Sequence, residues 1–363
     1  MQFKVLCFNV WCIPEWLRRV VPLPHRSITP DNRHRLSVAL TIASNAGCDI
    51  LALTELWDPS DREWLLMFAR QYGYKYGINP TFSGRLPRFI GLSGPGLVVL
   101  SKYPLTLTTL HTYKFNGKPY RLDHGDWLPG KGIVVCEIQI ADKKCNLALT
   151  HTVASYGDRP VAPHLSGKLK DEYYYQRLLQ IKELVGELSK LSTDVPLIVV
   201  GDLNLEPEST GLRFLKQAIG LSDAWTDAKE QGFTALAPPN NKRVDYVLYR
   251  GNLSSPSCQM MMHGSATELI SDHLGVVASF CFEEKSQSIA KDAEISTLFA
   301  DELHQGTRFM KYWIGFHLIG IVTAGGLLLV ISNPVLIVLI VLCGLLDVVY
   351  CERFMFPMYL ELK

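Results

Sequence analysis

Over its first 285 residues the chain alternates short apolar runs with polar loops, a pattern typical of a layered α/β fold. Strand-like apolar spacing predicts strands at 2–9, 49–55, 96–101, 131–140, 144–151, 196–202, 243–249 and 274–282. Helical apolar spacing predicts helices at 31–46, 60–71, 171–191 and, more briefly, 208–219. Asp31 and Asp171 are the predicted N-caps of the first and third helices.

The pattern changes after residue 285, where two nearly uncharged apolar runs cover 313–332 and 335–350. The first run is long enough to span a bilayer as a helix, and Asn333-Pro334 favours a turn between the runs. The sequence therefore predicts an α/β domain at 1–285, a connector at 286–312, a transmembrane helical hairpin at 313–350 and a short tail at 351–363. A pair of buried core helices is the alternative.

The regions flanking the hairpin predict its orientation. Basic residues lie outside both runs and none lies in the turn, so the positive-inside rule places both termini and the α/β domain on the cytosolic side. The nine cysteines, an odd number mostly in strand-like contexts, fit reduced thiols in the cytosol. An apolar stripe in the connector either lies at the membrane surface or packs on the domain; it consists of Ile295, Leu298, Phe299 and Leu303.

The charge distribution changes the range of expected partners. The formal net charge is +1, and no segment concentrates Lys and Arg. Enzymes that act on nucleic acids usually carry a basic stripe, so we expect no nucleic-acid partner.

Acid and amide side chains stand at the ends of predicted strands. Asp202 and Asn204 alternate after the apolar run at 197–201 and so share one face. Asn9 and Glu55 end the first two strands in the same way. Carboxylate and amide oxygens are hard ligands that suit Mg²⁺, so these residues predict a metal-dependent phosphodiesterase.

Titratable groups at three further strand ends supply candidate acid–base chemistry. His273 precedes the last strand and is suited to accept a proton near neutral pH, while Asp245 could fix its tautomer. His151 ends another strand, where a packed, non-catalytic histidine is the simpler interpretation.

In chain order, these motifs resemble the endonuclease/exonuclease/phosphatase superfamily, which has the deoxyribonuclease I-like fold. The matching segments are Phe8-Asn9, Leu53-Thr54-Glu55, Thr150-His151, Gly201-Asp202-Leu203-Asn204, Arg243-Val244-Asp245-Tyr246 and Ser271-Asp272-His273. Two features resemble the neutral, Mg²⁺-dependent sphingomyelinases within it. They are His124-Gly125-Asp126-Trp127 followed by Gly130-Lys131-Gly132, and the C-terminal apolar hairpin.

The resemblance implies a four-layered α/β sandwich and a role for each motif. Glu55 with Asn9 would hold Mg²⁺, and Asp202 with Asn204 would orient the attacking water and the phosphoryl group. His273 would be the general base, supported by Asp245. His151 would stabilise the charge that develops on the phosphoryl oxygens. Asp272 would order His151 or help to bind a second metal. Asp126 and Lys131 resemble a paired switch that membrane lipids reorganise, with a surface ion pair as the alternative.

The implied function is hydrolysis of membrane sphingomyelin to ceramide and phosphocholine by an integral membrane enzyme, with anionic lipids as further candidate partners. Alternatives are the same chemistry on inositolphosphoceramide or a lysophospholipid, a membrane-attached nuclease, or a non-catalytic scaffold. Trp127, Tyr120 and Tyr156 offer aromatic faces for a choline group. The sequence leaves the oligomeric state open.

Overall fold

The computed structural model describes most of the chain. The described residues are 2–15, 31–80, 94–118, 124, 126–127, 130–156, 171–227, 232–236, 241–261, 269–284, 293–328, 334–351 and 355–362.

Twelve strands are present in the described residues and form two six-stranded sheets. They are β1 Gln2–Cys12, β2 Ile50–Leu56, β3 Tyr76–Ile78, β4 Val98–Ser101, β5 Leu105–Thr112, β6 Gly132–Ile140, β7 Lys143–His151, β8 Leu197–Asp202, β9 Ser222–Asp223, β10 Asp245–Arg250, β11 Leu253–Met261 and β12 Gly275–Phe282. The first sheet has the order β11-β12-β1-β2-β4-β3 and the second has the order β5-β6-β7-β8-β10-β9.

Each sheet contains one parallel pair of neighbouring strands, and these pairs determine where the polar strand ends meet. β1 pairs with β2 so that Asn9 lies opposite Thr54, next to Glu55. β7 pairs with β8 so that His151 lies opposite Asp202. Because parallel strands end at the same edge of a sheet, each pair delivers its polar residues together.

Helices cover the outer faces of both sheets, and further helices pack on these or beside the core between the sheets. They are α1 Asn32–Asn45, α2 Pro59–Phe68 with a 3₁₀ turn at Ala69–Tyr72, α3 Tyr174–Leu188, α4 Thr210–Ile219, α5 Ala224–Asp227, α6 Ala293–Leu328, α7 Pro334–Tyr350 and α8 Phe356–Leu362. In β1, Cys7 faces the core between the sheets, whereas Phe8 faces α1, as the two-residue period of a strand requires. The layers agree with the predicted four-layered sandwich.

The strand and helix predictions differ from the structure mainly at edges. All eight predicted strands and all four predicted helices are present. The missed strands β3 and β9 have three and two residues, and β5 and β11 each contain a register shift that breaks simple alternation. Asp31 caps α1 by accepting from the His34 amide, as predicted. Asp171 was wrongly predicted as an N-cap: α3 begins at Tyr174, and Asp171 pairs with Arg177 instead.

The predicted transmembrane hairpin over 313–350 is wrong. Within the described part of the chain, no helix combines the length and the apolar character needed to cross a membrane. The same finding contradicts the predicted integral membrane localisation and, with it, the assignment of the α/β domain and both termini to the cytosolic side.

The error has a physical cause. The described part of the first apolar run, 313–328, is only the C-terminal part of a 36-residue helix, α6, and α7 has 17 residues. The first half of α6 packs against α3 and α4, in the same apolar cluster as Leu178 and Leu212. Phe299 and Leu303 of the predicted connector stripe are buried in that cluster, and Ile295 is also buried. These three residues pack on the domain, whereas Leu298, the fourth residue of the stripe, is exposed.

Candidate active site

Asn9 joins the two sheets at their polar edge. Its buried side-chain Nδ2 donates to Glu55 Oε1 and to Asp202 Oδ2, both at 3.0 Å. Its Oδ1 accepts from the Trp11 backbone amide at 3.1 Å, and this backbone donor fixes which amide atom is oxygen. The two carboxylates from different sheets are thereby held side by side.

Three non-glycine residues at these strand ends have left-handed backbone conformations. The φ angles are 46° at Trp11, 61° at Glu55 and 47° at Asn204. Such conformations cost free energy, on the order of 1–3 kcal/mol each, and persist only where surrounding contacts impose them. Here they lie where the side chains of Asn9, Glu55 and Asp202 meet.

His273 and Asp245 form a hydrogen-bonded pair, as predicted. His273 Nδ1 lies 2.7 Å from Asp245 Oδ2, and His273 Nε2 lies 3.8 Å from Asp202 Oδ2. Burial alone would lower the pKa of His273, but the carboxylates of Asp245, Asp202 and Asp272 together outweigh it, with Asp245 first, and the pKa lies well above its usual value. The pair thus presents Nε2 towards Asp202.

Two residues to which the sequence assigned no role hold this pair. Thr234 is fully buried, and its hydroxyl oxygen accepts from the Val244 and Asp245 amides, both at 3.0 Å. Ser271 donates to the Asn9 carbonyl at 2.6 Å and accepts from the His273 amide at 3.1 Å. Thr234 lies far from any motif, so no local signal could have identified it.

His151 lies against Lys131 rather than open to the cleft. The Lys131 ammonium lies 2.9 Å from His151 Nε2, 2.9 Å from the Thr152 carbonyl and 2.6 Å from Asp126 Oδ1. Burial lowers the pKa of His151 and the Lys131 charge adds to this, so the imidazole is neutral and accepts at Nε2. Asp126 and Lys131 are both buried, which excludes the alternative of a surface ion pair.

The contacts of the remaining predicted residues are as follows. Asn204 donates through its backbone amide to Asp202 Oδ1 at 2.9 Å and through its side chain to the Thr152 carbonyl at 3.1 Å. His151 Nδ1 has no hydrogen-bond partner among the described residues, so Asp272 does not order His151 here. Tyr156 stacks on His124 at 3.9 Å between ring centroids, and Tyr120 lies outside the described residues.

The buried acids are chemically suited to a cation. Glu55, His151 and Asp202 offer ligand atoms that all lie within 4.8 Å of one another. Burial raises the pKa of Asp202 to about 7, with Asp245 acting in the same direction, and burial likewise raises the pKa of Glu55. Asp202 is buried and Glu55 is half-buried. Two such carboxylates that resist ionisation together favour a divalent cation between them. In this arrangement the Asn9 nitrogen faces the acids and orients them, and the predicted role of Asn9 as a metal ligand stays a prediction.

Known proteins resemble this chain in sequence and in fold. It is 30% identical over 268 residues to human sphingomyelin phosphodiesterase 2, covering 69% of this chain and 56% of the human protein. It is 29% identical over 233 residues to inositol phosphosphingolipids phospholipase C of Saccharomyces cerevisiae, covering 62% of this chain and 46% of the yeast protein. The chain therefore spans about half the length of these two relatives.

A solved structure supports the same fold. Beta toxin from Staphylococcus aureus, crystallised with bound magnesium ions, superimposes with a TM-score of 0.53 at 18% identity, covering 78% of this chain and all of the toxin chain. The sequence model of the Endonuclease/Exonuclease/phosphatase family matches residues 6–273, which run from β1 to His273 at the site. On this match, the chain belongs to the Endonuclease/Exonuclease/phosphatase family.

Proposed function

We propose that the protein is a Mg²⁺-dependent phosphodiesterase that hydrolyses sphingomyelin to ceramide and phosphocholine. The observation that carries this proposal is the pairing of an acid cluster with an Asp-supported histidine. Glu55 and Asp202 are joined through Asn9, and the His273–Asp245 pair lies against the same Asp202 carboxylate. Family membership and the names of the relatives support the choice of reaction and substrate.

His273 acts as the general base in this proposal. Asp245 holds Nδ1, so Nε2 faces the cleft and takes a proton from the attacking water when the ring is neutral. Asp202 lies 3.8 Å from that nitrogen and accepts a hydrogen bond from the same water. Asn204 keeps Asp202 in place through its backbone amide.

Glu55 and Asp202 would hold the cation, with Asn9 orienting both carboxylates. A bound Mg²⁺ would supply positive charge to offset the charge that develops on the phosphoryl group. The magnesium ions named for the related toxin structure support this identity of the ion.

Lys131 is the positive side chain nearest to His151, and the role proposed for Asp126 and Lys131 is to control whether His151 is free to donate to a phosphoryl oxygen.

Inositolphosphoceramide is the second candidate substrate. The yeast relative carries a name that specifies inositol phosphosphingolipids, and its identity to this chain is similar to that of the human relative. Both substrates present the same scissile phosphodiester next to ceramide, so the acid cluster and the histidine pair serve either.

A parallel assay tests both proposals. Purified protein in detergent micelles with Mg²⁺ is offered sphingomyelin, inositolphosphoceramide, lysophosphatidylcholine and DNA. We expect ceramide and phosphocholine from sphingomyelin, loss of that activity in excess chelator, and loss in the His273→Ala variant. Faster release of ceramide from inositolphosphoceramide than from sphingomyelin would select the second candidate. Cleavage of DNA alone, or full lipid hydrolysis in chelator, would contradict both.

A further inference from the structure

A buried arginine of α1 joins the two chain segments that carry Asn9 and His273. Arg35 is 1% exposed, and its guanidinium is directed towards the polar edge of the first sheet. Nη1 donates to the Val10 carbonyl at 2.9 Å and to the Ile270 carbonyl. Nη2 donates to the Trp11 carbonyl at 3.2 Å. One side chain therefore fixes backbone from the end of β1 and from the segment before β12.

The first of these segments sets the orientation of the Asn9 amide. Trp11 has a φ of 46°, and its backbone amide donates to Asn9 Oδ1. This strained turn makes the Asn9 nitrogen face Glu55 and Asp202. Arg35 binds the carbonyls of Val10 and Trp11, which lie on either side of the Trp11 Cα. These contacts therefore help to impose the unfavourable backbone conformation of Trp11.

The second segment sets the position of His273. Ile270 directly precedes Ser271, which bridges the Asn9 carbonyl and the His273 amide. Fixing the Ile270 carbonyl thus fixes the start of the turn that delivers His273 to Asp245. Asn32, one turn earlier in α1, accepts from Arg35 Nη2 at 2.7 Å and keeps the guanidinium aligned.

We propose that Arg35 is a positioning residue: its guanidinium ties the turn that aims Asn9 to the turn that aims His273, and so sets the spacing between the cation ligands and the base. Arginine is suited to this because its planar fork of donors reaches several carbonyls at fixed angles. A lysine ammonium at the same place is a single point and cannot hold both segments in the same geometry. The inference rests on the proposed function for its rate measurements, whereas its metal-binding measurement is independent of substrate.

Three full-length variants test the proposal. Arg35→Met keeps an unbranched side chain without donors, and Arg35→Lys keeps the charge. Leu36→Ala is the matched control, because Leu36 is the next residue of α1 and is buried, but it packs in the apolar cluster against the first sheet. Circular dichroism and thermal melting establish folding, calorimetry with MgCl₂ measures cation binding, and sphingomyelin hydrolysis in mixed micelles gives kcat and KM.

We expect Arg35→Met to weaken Mg²⁺ binding by about 10–100-fold, the range found when groups that orient metal ligands are removed. Its kcat should fall by about 10²-fold, as for small misplacements of reacting groups, with little change in KM. Arg35→Lys should be intermediate in both quantities. Leu36→Ala should melt at a lower temperature yet keep Mg²⁺ affinity and kcat.

Equal losses in Leu36→Ala would reduce the effect to general destabilisation and overturn the proposal. Wild-type Mg²⁺ affinity and kcat in a folded Arg35→Met protein would also overturn it. If Arg35→Met does not fold, Arg35→Lys decides, and failure of both to fold would make Arg35 a folding determinant and the proposal wrong. A wild-type protein that binds Mg²⁺ but hydrolyses no lipid would contradict the proposed function, while the calorimetry would still decide the role of Arg35.

Discussion

The carboxylate of Glu55 is the ligand on which cation binding depends most directly. Replacing it in Glu55→Gln leaves an amide that still accepts from Asn9 but is a poor ligand for a hard cation. We expect Mg²⁺ affinity and kcat each to fall by about 100-fold or more, at or beyond the upper end for groups that only orient ligands. Glu137→Gln, on β6 and paired with Lys144 at the surface, is the control and should behave as wild type. Normal turnover by Glu55→Gln would rule out the metal assignment.

The Asp245 carboxylate sets the pH at which His273 becomes a competent base. Because Asp245 raises the pKa of His273, activity should increase with pH through a limb above the usual histidine pKa. Asp245→Asn removes the negative charge, so that limb should move to lower pH, and the rate should fall within the roughly 10²–10⁴-fold range of a lost acid–base contribution. The measurement is kcat/KM as a function of pH. An unmoved limb in Asp245→Asn would assign the titration to another group.

Residue-level prediction from sequence succeeded where the residue lies at a strand end. The pairing of Asp245 with His273 follows from local pattern and motif. The predicted strand alternation of Asp202 and Asn204 does not extend to Asn204, because β8 ends at Asp202 and Asn204 has a φ of 47°. Contacts between segments distant in sequence could not be predicted in this way. Three such contacts depend on how separate elements pack: Lys131 with His151, Thr234 with Asp245, and Arg35 with Ile270.

At the scale of elements, the stacking of Phe299 on Phe214 holds α6 against α4. The rings lie 3.9 Å apart between centroids and 7° from parallel, and Phe299 is 3% exposed. Phe299→Ala should therefore lower the free energy of unfolding by about 3–5 kcal/mol, the range for a buried phenylalanine. Phe316→Ala on the same helix is the control, since that side chain is 68% exposed and its loss should change stability by less than about 0.5 kcal/mol. Urea unfolding measures both, and equal effects would mean that α6 does not stabilise the fold through this contact.

The same element explains the largest failure of the sequence analysis. Apolar content indicated the length of each run but not where the helix containing it begins, and α6 begins at Ala293, well before the run. Its buried stripe at Ile295, Phe299 and Leu303 has helical spacing, yet spacing alone does not say which surface covers it. The predicted domain boundary near residue 285 falls outside the described residues and stays a prediction.

At the scale of the whole molecule, folding stability should depend on pH and Mg²⁺ together. The pKa of Asp202 is about 7 in the folded protein, so the folded state binds a proton that the unfolded state has already released. In the absence of metal, the contribution of Asp202 to stability should therefore fall as pH rises from about 4 to about 7. The raised pKa of His273 removes further stability above about pH 6.5, whereas the lowered pKa of His151 acts in the opposite direction below that pH.

Mg²⁺ competes with these protons, so its stabilising effect should be larger at about pH 8 than at about pH 6. The melting temperature with and without MgCl₂ at the two pH values measures this, with NaCl at matched ionic strength as the control. The Glu55→Gln variant should lose most of the shift. Equal shifts at both pH values would mean that the cation binds away from the buried acids.

The left-handed backbone at Trp11, Glu55 and Asn204 has a consequence for protein engineering. Glycine would relieve the backbone strain at each of these positions and would keep the Trp11 amide, yet at Glu55 and Asn204 it would remove side chains that take part in the arrangement of the site. Selection for heat resistance alone would therefore favour replacements that relax the strand ends and disperse the acids. A thermostabilisation programme for this protein should hold these positions fixed and seek its gains in the helical layers, where stability and activity are not in competition.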